Sequence, residues 1–354
     1  MTGQCKMRRL ERVVSFFLIH FRISCNPAYQ EVVFRETQTT YMMKTLKITL
    51  LAFIALVFTT TAFSQERITK TFSGIENVNL STASGNGTIK RSNNSEVTVT
   101  VEYTFDEDIY KPIFEQNGST LRIEEKFERS RWNKGYARWT LEVPNGIDLN
   151  FKTGSGNINV GGVNINLVAK SGSGNIEVRD LEGTISSNTG SGNIEFSNIK
   201  GTHNGNTGSG NIRIDRSEGD SDMSTGSGNV RLRDVSGAFK MSSGSGNVTV
   251  EAAALKGASR FSTGSGNVDV ELSSALEYDL SLGTGSGNAT LDFNGSQISG
   301  EFIMEASSKN SIQAPFSFDR SSEKGRRYVK EAKVGNKSIL VKISSGSGRA
   351  VVRD

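Results

Sequence analysis

The tetrapeptide Gly-Ser-Gly-Asn occurs eight times between residues 154 and 288, and the interval between copies limits the possible folds more than any other feature of the chain. Counted at the asparagine, the copies fall at Asn157, Asn175, Asn193, Asn211, Asn229 and Asn247 with one unchanging step, then at Asn267 and Asn288 after slightly longer ones. Five identical steps cannot be accidental. Fixed periods of this kind mark chains whose units stack on their neighbours to bury a shared core.

Aligning the repeats shows what each unit contains. An alternating apolar pair follows every Asn, as in Ile158/Val160, Ile176/Val178, Ile194/Phe196 and Ile212/Ile214. Period-2 alternation of β-branched residues predicts a strand with one buried face. Two further apolar columns follow in most repeats, one through Val163, Leu181, Ile199 and Val235, the other through Phe151, Met223, Met241, Phe261 and Leu282. Gly183, Gly201, Gly219 and Gly237 lie between them, where the chain can turn through positive φ. The fold class is therefore all-β: a single-chain β-solenoid of about eight coils of 18–21 residues, with β-rich N- and C-terminal caps. A β-propeller is the rival, but its blades need about 40 residues.

The spelling of the motif suggests roles for its parts. The two glycines allow a sharp bend, and the serine between them can bond to local backbone. Asparagines stacked at strand spacing can link amide to amide in a ladder. The hydroxyl column just before each copy (Thr153, Ser171, Thr189, Thr207, Thr225, Ser243, Thr263 and Thr284) reads as a second ladder. A phosphate loop would need a following helix and usually a lysine, a calcium roll an aspartate column, and an ice-binding face two threonine columns. None of these is present in the sequence.

Residues 1–64 differ from the rest. MKTLKITLLAFIALVFTTTAFSQE, starting at Met43, has a basic start, an apolar stretch from Leu50 to Phe58 and small residues at Ala62 and Ser64. Residues 43–64 read as a secretory signal peptide cut between Ser64 and Gln65, since the apolar run falls short of the roughly 20 residues a membrane span needs. Residues 1–42 are then a non-native upstream extension, or else a cytoplasmic segment anchored by VVSFFLIHF at 13–21. Beyond the cut lie an N-terminal cap (65–150), the repeat solenoid (151–291) and a C-terminal cap (292–354). Both cysteines, Cys5 and Cys25, precede the cut, which leaves no disulfide, thiolate or cysteine-metal chemistry in the mature chain. The mature chain carries 33 basic and 34 acidic residues, without the basic stripe that nucleic acid binding requires. It also has no transmembrane span.

The GSGN-Ile/Val-x-Val repeats, the entry ARWTLEVPNGIDLNFKTGSGN (137–157) and the ending GSGNATLDFNGSQISGEF (285–302) resemble a bacterial adhesin-like family with β-strand repeats, common in secreted Bacteroidetes proteins. The resemblance covers most of residues 66–354, implies a surface-binding role and supplies no catalytic residues. The expectation is an exported, non-enzymatic envelope or surface protein, located in the periplasm, at the outer surface or outside the cell, whose partner is a glycan or another cell-surface molecule. No catalytic, metal or cofactor site is expected.

Ligand contacts could come from Trp132 and Tyr136 in a charged loop of the N-terminal cap, or from Arg213, Asp215, Arg231, Arg233 and Asp234, which with Arg216 read as outward residues on adjacent coils. The other cap aromatics read as core. Two alternatives stay open. One is a polysaccharide lyase or hydrolase using Asp215 and Asp234 as acid and base. The other is a self-assembling fibre subunit, although the glutamine columns of such fibres are missing here. His203, the lone histidine of the mature chain, reads as an exposed turn residue, and the closing GSGR puts Arg349 where the ladder can stop.

Overall fold

The computed structural model describes residues 65–128 and 135–354, so the signal segment, both cysteines and Trp132 lie outside the described residues. Ser64–Asp354 forms one compact unit. Its strands make two long sheets, sheet I with 14 strands and sheet II with 15, and each coil contributes one strand to each sheet. This is a β-solenoid.

Stacking is parallel and in register. Ile176 pairs with Ile158 on one side and Ile194 on the other, and Val178 with Val160 and Phe196. The constant period places every residue over its counterpart, so each apolar column becomes a continuous wall, and the walls of both sheets meet in one buried cluster. Phe151, Phe196, Phe239 and Phe261 are fully buried there. The longer steps leave it buried. Leu255 still pairs one standard period back with Gly237, while Arg260 pairs with Lys240, which places the extra length of the first in the loop between Leu255 and Arg260. In the next coil the register shifts between Val250 and Ala253, which pair with Val270 and Leu272.

The corners differ from expectation in their physical cause. None of the Gly-Ser-Gly glycines has positive φ; the positive-φ glycines include Gly183, Gly201, Gly219 and Gly237 at a different corner. What the motif glycines accommodate is the coil below: a Cβ on Gly172 would lie 2.2 Å from the Gly154 carbonyl oxygen, and one on Gly174 2.0 Å from that of Gly156. The serine between them is exposed, and the local bonding belongs to the preceding hydroxyl. Thr189 Oγ1 accepts from Gly192 N–H (3.2 Å) and donates to Gly174 O of the previous coil (2.9 Å). The asparagines likewise link side chain to backbone, not amide to amide. Each Oδ1 accepts the main-chain N–H of the next motif residue at 2.8 Å, from Asn86 through Asn157 and onward to Asn288. The last donor is Arg349 N–H, 2.9 Å from Asn288 Oδ1. Arginine has no acceptor to offer a further coil.

Asn86 belongs to a coil formed early in the chain. Strands Asn77–Thr82 and Asn86–Arg91 pair in parallel with Asp148–Thr153 and Ile158–Gly161, so residues 83–87, ASGNG, form a corner over the first repeat. Thr120–Phe127 and Ala137–Val143 add a further parallel layer, covered in turn by the antiparallel strands Tyr110–Asn117, Val97–Tyr103 and Glu66–Phe72. At the other end Leu340–Ser345 and Ala350–Arg353 stack in parallel on Leu280–Thr284 and Ala289–Asp292, and Gly300–Ala306 with the hairpin Arg320–Lys324 and Arg327–Val334 closes sheet II. Antiparallel pairing breaks the stacking pattern, and the outermost strands of sheet II carry charges and Pro112 that discourage growth by further pairing.

Candidate functional site

The two sheets present chemically different outer faces. On sheet I, one outward column runs Glu177, Glu195, Arg213 and Arg231, and a second runs Arg179, Ser197, Asp215, Arg233 and Glu251. Charges of both signs neutralise one another along this face. Arg213 Nε reaches Asp215 Oδ2 at 2.6 Å and Arg233 Nε lies 3.5 Å from Asp215 Oδ1. Arg231 Nη2 contacts both carboxylate oxygens of Glu251, at 2.9 and 3.0 Å. The hydrogen bond to Asp215 raises the Arg213 pKa further.

This geometry corrects the reading of Asp215 as an outward carboxylate. Its side chain is only 6% exposed, roofed by the two guanidinium groups, whereas Asp234 is 57% exposed and only loosely joined to Arg233 at 3.9 Å. The sheet turns just beyond Asp215, at Arg216 (φ 50°), the same bend that Asp180, Asn198 and Asp234 make in their own coils. Asp215 thus serves as the anchor of an ion-pair cluster. Such mixed pairs on a strand face contribute about 0.2–1 kcal/mol each.

Tyr136 lies far along the chain from that cluster, in the N-terminal layers, and is half-exposed. Tyr103, Phe105, Tyr110 and Trp139 are buried in those layers, as expected of a cap core, whereas Phe127, also read as core, is exposed. Sequence reasoning missed their partner, Glu125. Its carboxylate accepts from Ala83 N–H (2.6 Å), Tyr110 Oη–H (3.1 Å) and Trp139 Nε1–H (2.9 Å), thereby closing the first Gly-containing corner where no identical coil lies below. Burial and the Glu125 charge push the Tyr110 pKa well up.

His203 is also corrected. It is fully buried, in register with Ile185 and Ser221, and packs edge-on against Phe196 at 5.6 Å. Its Nδ1 lies 3.1 Å from Gly201 O, and Nε2 has no hydrogen-bond partner, like the neighbouring Ser221 Oγ. Burial lowers its pKa to about 4.

Sheet II is different. One outward column runs Ser81, Lys152, Lys170, Asn188, Asn206 and Ser224, then continues through Ser242, Ser262, Gly283 and Ser344. From Asn188 onward every member is small and uncharged. Shallow grooves of about 470, 600 and 460 Å³ lie on this sheet among the described residues; the one of about 600 Å³ is lined by Ser81, Lys152, Lys170, Asn188 and Asn206 together with Thr153, Ser171 and Thr189 of the hydroxyl column. Among the described residues no group of three His, Cys, Asp or Glu is arranged to hold a metal, and no helix is long and apolar enough to cross a membrane.

No curated protein matches the chain in sequence. Among solved structures, the "putative cell adhesion protein" of Clostridium sporogenes is 14% identical and aligns over 82% of this chain and 99% of its own, with a TM-score of 0.19. The "putative adhesin" of Bacteroides fragilis is 14% identical over 59% of this chain and 98% of its own (TM-score 0.38). The "putative lipid binding protein" of Parabacteroides distasonis is 15% identical over 82% and 97% (TM-score 0.34). Residues 75–300, from the early coil through the last regular repeat, match the Toastrack DUF4097 family model, and the chain belongs to that family.

Proposed function

We propose that the protein is an exported, non-enzymatic binding scaffold of the cell envelope or surface, an adhesin in the broad sense, and that sheet II is its binding face. The observation that carries this reading is the neutral column from Asn188 to Ser344, repeated once per coil. From Asn188 to Ser262 hydroxyl and amide groups then recur about every 4.8 Å along the sheet. Short side chains of this kind lose little rotamer freedom when they bind. A hydroxyl-rich polymer or a glycosylated surface molecule suits such a face, because both partners carry donors and acceptors at close intervals. Sheet I is self-neutralised and offers a partner less.

Glycan-array and cell-binding assays on purified residues 65–354 test the reading. Binding is expected, and Ser224→Glu with Ser242→Glu should abolish it while the unfolding temperature stays within a few degrees. Uniformly negative arrays and cells would overturn it. Recovery of a shortened glycan after incubation would contradict its non-enzymatic part.

A further inference from the structure

Lys152 and Lys170 are nearest neighbours in sheet II, one directly above the other in register. Both are exposed, and neither makes an ion pair, a hydrogen bond or a ring contact among the described residues. Like charges directly opposite one another destabilise a sheet. Further along this face Lys240, in register with Arg260, is held by Asp222 at 2.7 Å. Around Lys152 and Lys170 nothing relieves the conflict: Ser81 lies below them, Asn188 above, and Asn150 and Val168 beside them. Glu124, one place further down the column, is engaged by Arg122 at 2.6 Å. The two ammonium groups therefore stand unneutralised over the groove of about 600 Å³.

We propose that Lys152 and Lys170 form an anion-binding subsite and that its ligand is an acidic polysaccharide bearing carboxylates. The inference deepens the scaffold reading and rests on it. Two cations at one end of the groove would take the carboxylates of successive sugars, and Asn188 and Asn206 in the same groove would take their hydroxyls. A nucleic acid needs a cation for nearly every phosphate along its path. Here the column turns neutral after two. An anionic membrane would need an apolar wedge beside the lysines, and the flanking positions are polar apart from Val168.

The test compares polygalacturonate with its fully methyl-esterified form by titration calorimetry on the whole protein at low ionic strength. The acid polymer is expected to bind and to weaken as salt is added, and the ester to bind at least tenfold less tightly. Lys152→Gln with Lys170→Gln should weaken binding of the acid polymer by about fivefold or more. Lys324→Gln with Arg326→Gln, on the distant exposed hairpin, should leave it unchanged. The lysine double variant should also melt no lower than the parent, because a like-charge contact has been removed. Equal binding of both polymers, an unaffected lysine double variant, or equal losses in the two double variants would each overturn the subsite. So would tighter retention on anionic vesicles than on polygalacturonate. Those results leave the scaffold reading standing, which falls only if glycan arrays and cells are blank as well.

Discussion

At the scale of single residues, close approach between coils explains the repeat spelling. Gly192 has its Cβ direction 2.0 Å from the Gly174 carbonyl oxygen, so Gly192→Ala should cost about 3 kcal/mol in denaturant unfolding, since backbone must move to admit the methyl group. Ser191→Ala, at the exposed middle of the same motif, should change stability by less than about 0.5 kcal/mol. His203 gives a pH prediction. Its folded pKa of about 4 lies below the ordinary 6.5, so the unfolded chain takes up the proton first as pH falls. The stability this group permits is complete above about pH 6.5 and is lost progressively down to about pH 4, a change on the order of 3 kcal/mol. His203→Leu should flatten that part of the stability–pH curve; a curve of unchanged slope would contradict the buried neutral imidazole. His203 was illegible in sequence because HNGNT shows no apolar alternation, and only its register with Ile185 puts it inside. Asp215 was misread for the converse reason. Alternation places it outward, but two arginines one step away in space close over it.

At the scale of elements, the central strands were legible and the end layers much less so. Repeats at a constant interval announce their partners, because each column aligns with itself. The coil made by Asn77–Thr82 and Asn86–Arg91 pairs with strands that begin only at Asp148 and Ile158, and no periodicity links the two. The antiparallel covers likewise depend on long-range pairing, which composition does not encode. Glu125 is the residue on which this end layer turns. Glu125→Ala leaves a buried indole N–H, a phenol and a corner N–H without their acceptor, with an expected cost of about 3 kcal/mol. Hydrogen exchange should quicken at Ala83 and along residues 77–91 while the coils from 176 to 250 keep their protection. Uniform acceleration throughout would show that the end layer and the repeats unfold as one unit.

At the scale of the whole unit, stability is distributed along nearest-neighbour interfaces, and the two outer faces are free to diverge because neither builds the core. Sheet I uses its outward positions for ion pairs, while sheet II sets one column of short neutral groups with an uncompensated lysine pair beside a column that carries Asp222, Lys240 and Arg260, an asymmetry visible in sequence only once the register is known. The central claim is that identical coils stack in register on a common interior, and removing one period tests it most directly. Deleting residues 194–211, which joins Asn193 to Ile212, preserves every column and the asparagine ladder. Deleting only 194–202 puts every later side chain out of register. Thermal unfolding followed by circular dichroism should show a cooperative β-sheet transition, lowered by a few degrees, for the first deletion and none for the second. Equal loss of structure in both would contradict the account.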